Sequence, residues 1–221
     1  MARCVKGIFT TVVNFPFVTI EAGLRETKKR ETRQSISDHA TRLFIAHGFE
    51  ATTIAEIADA ARVAKKTVTN YFPRKEDLAL DYHNEFTASL ATTVASRAPG
   101  ESALTALRHE FDRAASSYEP AAGFANIDFC RMIKKSPTLT ARLRELHELR
   151  EQALAQALPG NDLTRRTAAT QLASAHRLLF HRVQELTLER KSRRHIADTV
   201  RAEATYIFDL LEPALGDYAI A

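Results

Sequence analysis

The chain has 221 residues, 45% hydrophobic and 26% charged, with 7 Gly, 7 Pro, 2 Cys and no Trp; this excludes collagen, a disulfide scaffold and disorder, and fits one or two globular domains. The net charge of +4 is uneven: residues 1–75 hold 13 Lys/Arg against 7 Asp/Glu, whereas residues 76–221 hold 18 against 20. A basic first third on a near-neutral remainder suits a nucleic-acid-contacting module joined to a part with another task, but it equally suits a polyanion-binding enzyme, a membrane-surface protein or a solvated charged face.

The apolar stretch Ile8 to Ile20 covers about 13 residues where a membrane-spanning helix needs roughly 20, and Asn14 and Pro16 interrupt it, so no membrane segment is expected. Cys4 and Cys130 are too few for a metal cluster, which points to a reducing, cytoplasmic compartment. From Thr27 onward, Ala, Leu, Arg and Glu dominate with almost no alternating β pattern, so the fold class is all-α. A first helix is predicted over 29–47, with Ile36, Ala40, Leu43 and Phe44 on one face and Gly48 as its stop. Thr52 and Thr53 offer capping hydroxyls to a second helix ending near Ala60, with Glu56 placed for a capping box. A third short helix covers 65–72 before Pro73. A fourth runs unbroken from Lys75 to about Arg97, and five more are predicted over 101–118, 121–135, 138–158, 163–190 and 192–212.

Two short helices joined by a tight turn, the second bearing Lys65, Lys66, Thr67, Thr69, Asn70 and Tyr71, have the build of a DNA-reading helix-turn-helix. Lysines neutralise phosphates, Thr and Tyr hydroxyls bond phosphate oxygens, and Asn can read a base edge, while Val68 and Phe72 face inward. By periodicity alone the same segment is also any corner between two helices.

The runs Phe44 to Ala61 and Val63 to Leu78 resemble the DNA-binding domain of the TetR (tetracycline-repressor) family, with Gly48-Phe49, Thr52-Thr53, Ile57-Ala58, Tyr71-Phe72 and Lys75-Glu76-Asp77-Leu78 at that family's spacing. The resemblance covers about residues 29–90. It implies a nine-helix, two-domain fold: an extension over 1–27, disordered or reflecting a misplaced start site at 1–17, a helix-turn-helix domain over 28–75, and a ligand-binding and dimerisation domain over 76–221. It implies that Thr53 caps the second helix and meets a phosphate beside Thr52. Lys65, Lys66, Thr67, Thr69 and Asn70 would face the major groove, and Tyr71 and Lys75 would contact the DNA backbone. Arg62 departs from the family's turn glycine and Ala64 from its capping Ser/Thr; Arg62 is expected to offset its strain with a phosphate contact. The run Lys28-Lys29-Arg30 is expected to approach phosphates ahead of the first helix.

A small-molecule effector is implied for the second domain, with Phe86, Leu107, Phe111, Tyr118, Phe124, Phe129, Met132 and Phe180 as candidate lining, although all eight also suit plain core packing. A homodimer is implied through the last two helices. Leu172, Ala175, Leu179 and Val183 form one stripe and Val200, Ala204, Ile207 and Leu211 another, with burial inside the monomer as the competing reading. Histidines 109, 147, 176 and 181 are scattered without an i, i+4 pair, and no catalytic constellation stands out, so neither a metal, a cofactor nor an enzymatic activity is expected. The function so implied is a sequence-specific transcriptional repressor released from a palindromic DNA operator by a small molecule; the alternative is an all-α binding or catalytic protein whose helix-turn-helix has lost DNA function.

Overall fold

The computed structural model describes residues 23–221, and the expectations for residues 1–17 and for Ile8 to Ile20 lie outside the described residues. Among these, the order is α1 (Leu24–His47), α2 (Ile54–Ala60), α3 (Lys65–Tyr71), α4 (Glu76–Ala79), α5 (His83–Ala95), α6 (Ala103–Ser116), a 3-10 turn (Pro120–Ala122), α7 (Ile127–Lys135), α8 (Pro137–Ala157), α9 (Asp162–Leu188) and α10 (Arg193–Leu215). No strand occurs among the described residues, and no helix there is long and apolar enough to cross a membrane.

Ten α-helices stand where nine were expected, because the predicted fourth helix is two. Side chains of α1 account for the break. Ser37 Oγ donates to Leu78 O at 3.4 Å and to Asp81 Oδ2 at 2.5 Å, and Arg33 Nη2 donates to Asp81 O at 3.3 Å. The backbone carbonyls of Leu78 and Asp81 are ones a continuous helix would offer to the N–H groups four residues on. The chain accordingly divides into compact units between Asp81 and Tyr82, beyond the expected boundary at 75, since α4 packs on α1. A further shift lies at the start of α1. Lys28, Lys29 and Arg30 are within the helix and not ahead of it, because Leu24-Arg-Glu-Thr-Lys-Lys-Arg-Glu31 consists largely of good helix formers and the N–H groups of Glu26 and Thr27 bond Gly23 O.

The first unit is built on Ile36, Ala40, Phe44, Phe49, Ile57, Val68, Phe72 and Leu78, all buried, with the Phe44 and Phe49 rings 4.9 Å apart. In the second unit, α5 packs on α8, α8 on α9, α9 on α10, and α10 on α6. Five of its helices start on a polar cap: Ser102 accepts from Thr105 N–H, Asn126 from Phe129 N–H, Ser136 from Leu139 N–H, Asn161 from Thr164 N–H and Ser192 from His195 N–H. Each cap contributes about 1 kcal/mol.

The apolar stripes assigned to the dimer belong to this core. Leu172, Ala175, Leu179, Val183, Val200 and Ala204 are buried within one chain, and Ile207 and Leu211 are half-buried against the same cluster. A stripe at helical period says that a face is covered but not by what, and here the helix's own neighbours cover it. Outside the core, Leu178 on α9 and Tyr206 and Leu210 on α10 remain 62%, 66% and 63% exposed.

Gly123 closes the 3-10 turn at φ 104°, where a Cβ would lie 2.6 Å from Phe180 O. Both the left-handed backbone and the approach of the turn to α9 require glycine there. Gly123→Ala is therefore expected to destabilise the protein by more than about 1 kcal/mol in urea denaturation; an unchanged midpoint would contradict the close approach.

Candidate functional site

The helix-turn-helix comes from α2, α3 and the turn between them. The capping box predicted at Thr53 is formed: Thr53 Oγ1 accepts from Glu56 N–H at 3.2 Å, and Glu56 Oε2 accepts from Thr53 N–H at 2.7 Å. These bonds hold the Glu56 carboxyl below its ordinary value, the backbone bond to Thr53 having the largest part. Arg62 occupies the turn at φ 55°, the left-handed conformation expected of the glycine it replaces. The N–H groups on either side close the turn, Arg62 N–H donating to Asp59 O at 3.1 Å and Val63 N–H to Ala58 O at 2.9 Å. Ala64 starts α3 without a side-chain cap.

On α3, Val68 and Phe72 are fully buried while Lys65, Lys66, Thr69 and Asn70 are exposed, with Thr67 and Tyr71 on the flanks. Positions 65, 66, 69 and 70 share one helix face, so two ammonium groups, a hydroxyl and a carboxamide point outward together. The Thr69 hydroxyl donates to Lys66 O at 3.1 Å, leaving its oxygen free to accept. Arg62 and Thr53 are also exposed.

Two residues expected at DNA also make bonds within the unit. Thr52 is buried, its hydroxyl donating to Gly48 O at 2.9 Å and to Leu43 O at 3.4 Å, so it ties the turn after α1 to that helix. Lys75 turns its ammonium onto Phe49 O at 2.6 Å and over the Phe49 ring at 4.4 Å. Arg33, absent from the expected contacts, has a positioning role: its guanidinium lies 4.2 Å over the Phe72 ring and Nη1 donates to Tyr71 O at 3.0 Å. The last carbonyl of α3 is thereby satisfied from α1. A basic residue on the inward flank of the first helix, facing the Tyr71-Phe72 pair, is the signal that could have found it.

The suggested effector lining lies within the second unit and splits into groups. Phe86 and Phe180 rings are 5.6 Å apart around His147, Phe111 meets His176 at 5.8 Å, and Phe124 meets Tyr118 at 5.5 Å. Leu107, Phe129 and Met132 are buried. Tyr118 is 37% exposed at φ 57°, on the surface where the chain leaves α6 and not in the interior, because the left-handed residue reverses the chain there. Sequence reasoning passed over Arg150, which is buried on the face of α8 that also carries His147. The i, i+3 pairing of His147 with Arg150 inside an apolar stripe was the available signal.

A profile of bacterial regulatory proteins of the tetR family matches residues 36–82, the segment from mid-α1 to the start of the second unit. Over those residues the chain is similar to that family. Among similar proteins, the HTH-type transcriptional regulator TcmR of Streptomyces glaucescens is 28% identical over 145 residues, 63% of this chain and 64% of TcmR. The match thus spans less than two thirds of TcmR's own length. Two solved structures share the fold. SmeT in complex with triclosan has a TM-score of 0.55 at 17% identity, covering 86% of this chain and 95% of that one. Native NalD, the secondary repressor of the MexAB-OprM multidrug efflux pump in Pseudomonas aeruginosa, has a TM-score of 0.52 at 20% identity, covering 85% and 98%.

The left-handed Arg62 has a direct consequence for stability. A non-glycine residue there costs about 1–2 kcal/mol, so Arg62→Gly is expected to stabilise the first unit by about 1 kcal/mol in thermal or urea denaturation. A loss of stability would mean that the Arg62 side chain makes contacts worth more than its strain.

Proposed function

We propose that the chain is a sequence-specific, DNA-binding transcriptional regulator acting as a repressor in the cytoplasm, released from its operator when a small molecule occupies the second unit. The observation that carries this reading is the face of α3: Lys65, Lys66, Thr69 and Asn70 stand exposed on a helix locked from behind by Val68 and Phe72. The similarity of residues 36–82 to regulatory proteins of the tetR family supports it, as does the likeness in fold to NalD, which is described as a repressor. In the proposed complex α3 enters the major groove; Lys65 and Lys66 meet phosphates, Asn70 reads a base edge, and Thr67, Tyr71, Thr53 and Arg62 line the backbone on the flanks. Effector release then requires only that the ligand bind one conformation more tightly than the one that fits DNA.

The test is a gel shift with DNA from upstream of the chain's own gene, followed by a salt titration. Lys66→Ala is expected to lower the slope of log K against log salt by about 0.9 on every sequence, whereas Asn70→Ala changes which base is preferred at one position of each half-site. Failure of the wild-type chain to retard that DNA more than a random fragment would favour a helix-turn-helix that has lost its DNA function.

A palindromic operator with half-sites about one DNA turn apart calls for a two-fold dimer. We place its interface on Leu178, Tyr206 and Leu210, with the exposed Ala202 one turn before Tyr206, since these are exposed apolar positions of α9 and α10 away from the start of α9, where Leu163 is also exposed. Arg182 Nε, donating to Glu203 at 3.1 Å, ties α9 to α10. Leu178→Glu combined with Leu210→Glu is expected to give a monomer in sedimentation at micromolar concentration; a persistent dimer would move the interface elsewhere.

A further inference from the structure

The interior of the second unit contains a guanidinium without an anionic partner. Arg150 on α8 is 4% exposed, and among the described residues no carboxylate lies within ion-pair distance of it. Its Nε donates to Ser89 Oγ at 2.8 Å and its guanidinium carbon lies 4.5 Å from the centre of the Phe86 ring. Glu110, whose charge reaches Arg150, is itself bound to Arg113 at 2.6 Å. The Tyr82 phenol, the other nearby titratable group, is pushed further toward its neutral form by burial. Burial lowers the Arg150 pKa to about 10, which still leaves it charged at neutral pH.

Two imidazoles accompany it. His147, one turn earlier on the same helix, and His176 on α9 are 5% and 4% exposed, and the Nε2 atom of each is buried without a hydrogen-bond partner. Burial and the Arg150 charge hold the His147 pKa down to about 3 and that of His176 well below its ordinary value, so both rings are neutral. Aromatic rings flank each imidazole: Phe86 and Phe180 lie 5.1 and 5.0 Å from His147, and Phe111 and Phe208 lie 5.8 and 5.5 Å from His176. An unpaired cation and two orphaned ring nitrogens are the costliest contents a core can have, and a structural staple would use a carboxylate or an apolar side chain in their place.

We propose that Arg150, with His147 and His176, is the anchor of an effector site for an aromatic organic anion, whose carboxylate or phenolate oxygens meet the guanidinium while its rings lie among Phe86, Phe111, Phe180 and Phe208. The geometry suits such a ligand. A guanidinium presents a planar fork to an oxyanion, and a neutral imidazole can donate or accept at Nε2 according to its tautomer. The inference rests on reading the second unit as the effector-binding part of a regulator, and it adds the charge class of the effector and the residue that selects it.

The test uses the purified full chain, with 2-naphthoate as the anionic probe and 2-naphthamide as its neutral counterpart, both followed by equilibrium dialysis and thermal shift. The naphthoate is expected to bind and raise the melting temperature, and the amide to bind about tenfold or more weakly, as the loss of a charged hydrogen bond implies. Arg150→Met is expected to weaken naphthoate by about the same factor while the ligand-free melting temperature holds or rises, since an unpaired buried charge is exchanged for an apolar chain. Equal binding of the two probes to the wild type, no binding of either, or an unchanged naphthoate affinity in Arg150→Met would each overturn the proposal. If Arg150→Met does not fold, Arg150→Lys and the wild-type comparison of probes decide, because Lys keeps the charge without the fork and is expected to bind naphthoate with reduced affinity. Operator retardation by the same preparations separates the two readings: loss of naphthoate binding with DNA binding intact concerns the effector site alone, and wild type that fails to retard DNA defeats the regulator itself.

Discussion

A seven-residue helix has no stability of its own in water, because the cost of nucleation outweighs so few backbone bonds. The helix α3 is therefore only as well placed as the contacts on its inward face. Val68 and Phe72 bury that face, Arg33 lies over the Phe72 ring, and the same guanidinium takes the Tyr71 carbonyl at the helix end. Without a side-chain cap at Ala64, the packing and the Arg33 bond hold α3. The rest of the first unit serves this arrangement: α1 supplies Arg33 and Ser37, and the bonds those residues make to Leu78 and Asp81 end α4.

This division of labour changes the meaning of the basic first third. Arg33 and Lys75 are directed at carbonyls and aromatic faces within the unit, where a cation stabilises the fold, whereas Lys65, Lys66 and Arg62 are exposed. A count of positive charge cannot distinguish these uses, since a cation over a phenylalanine ring and a cation awaiting a phosphate contribute equally to it. Their neighbours can. Both inward-facing cations stand against aromatic residues of the Phe44, Phe49 and Phe72 group.

What could be read from the sequence follows the range of the interactions. Capping at Thr53 and the inward pair Val68 and Phe72 depend on residues a few positions apart, and their spacing was sufficient to place them, whereas the left-handed turn at Arg62 was implied by the resemblance alone. The break between α4 and α5 depends on side chains about forty residues away and leaves no local trace, so an unbroken helix was the natural expectation. The stripes of α9 and α10 failed for another reason. Periodicity located their apolar faces correctly, but a covered face looks the same whether its cover is a second chain or the helix next door, and the uncovered positions Leu178, Tyr206 and Leu210 fall outside the strongest stripe. Arg150 escaped notice because an arginine in an amphipathic helix is normally on its wet side.

The second unit can be understood from what that arginine does to an otherwise ordinary core. Leu90, Leu104, Leu107, Leu154, Leu172, Leu179 and Phe208 would pack α5, α6, α8, α9 and α10 together without any polar group among them. Placing a guanidinium beside Phe86 and Ser89 gives up part of that stability in the ligand-free state, and an anion arriving at Arg150 restores it. Phe86 and Ser89 both lie on α5, the first helix of the second unit, so the element whose packing an anion would strengthen is the one that opens that unit. A buried charge set at that point makes the packing of α5 depend on whether the charge is matched, and a dependence of that kind is the differential affinity that an effector needs in order to shift a conformational equilibrium.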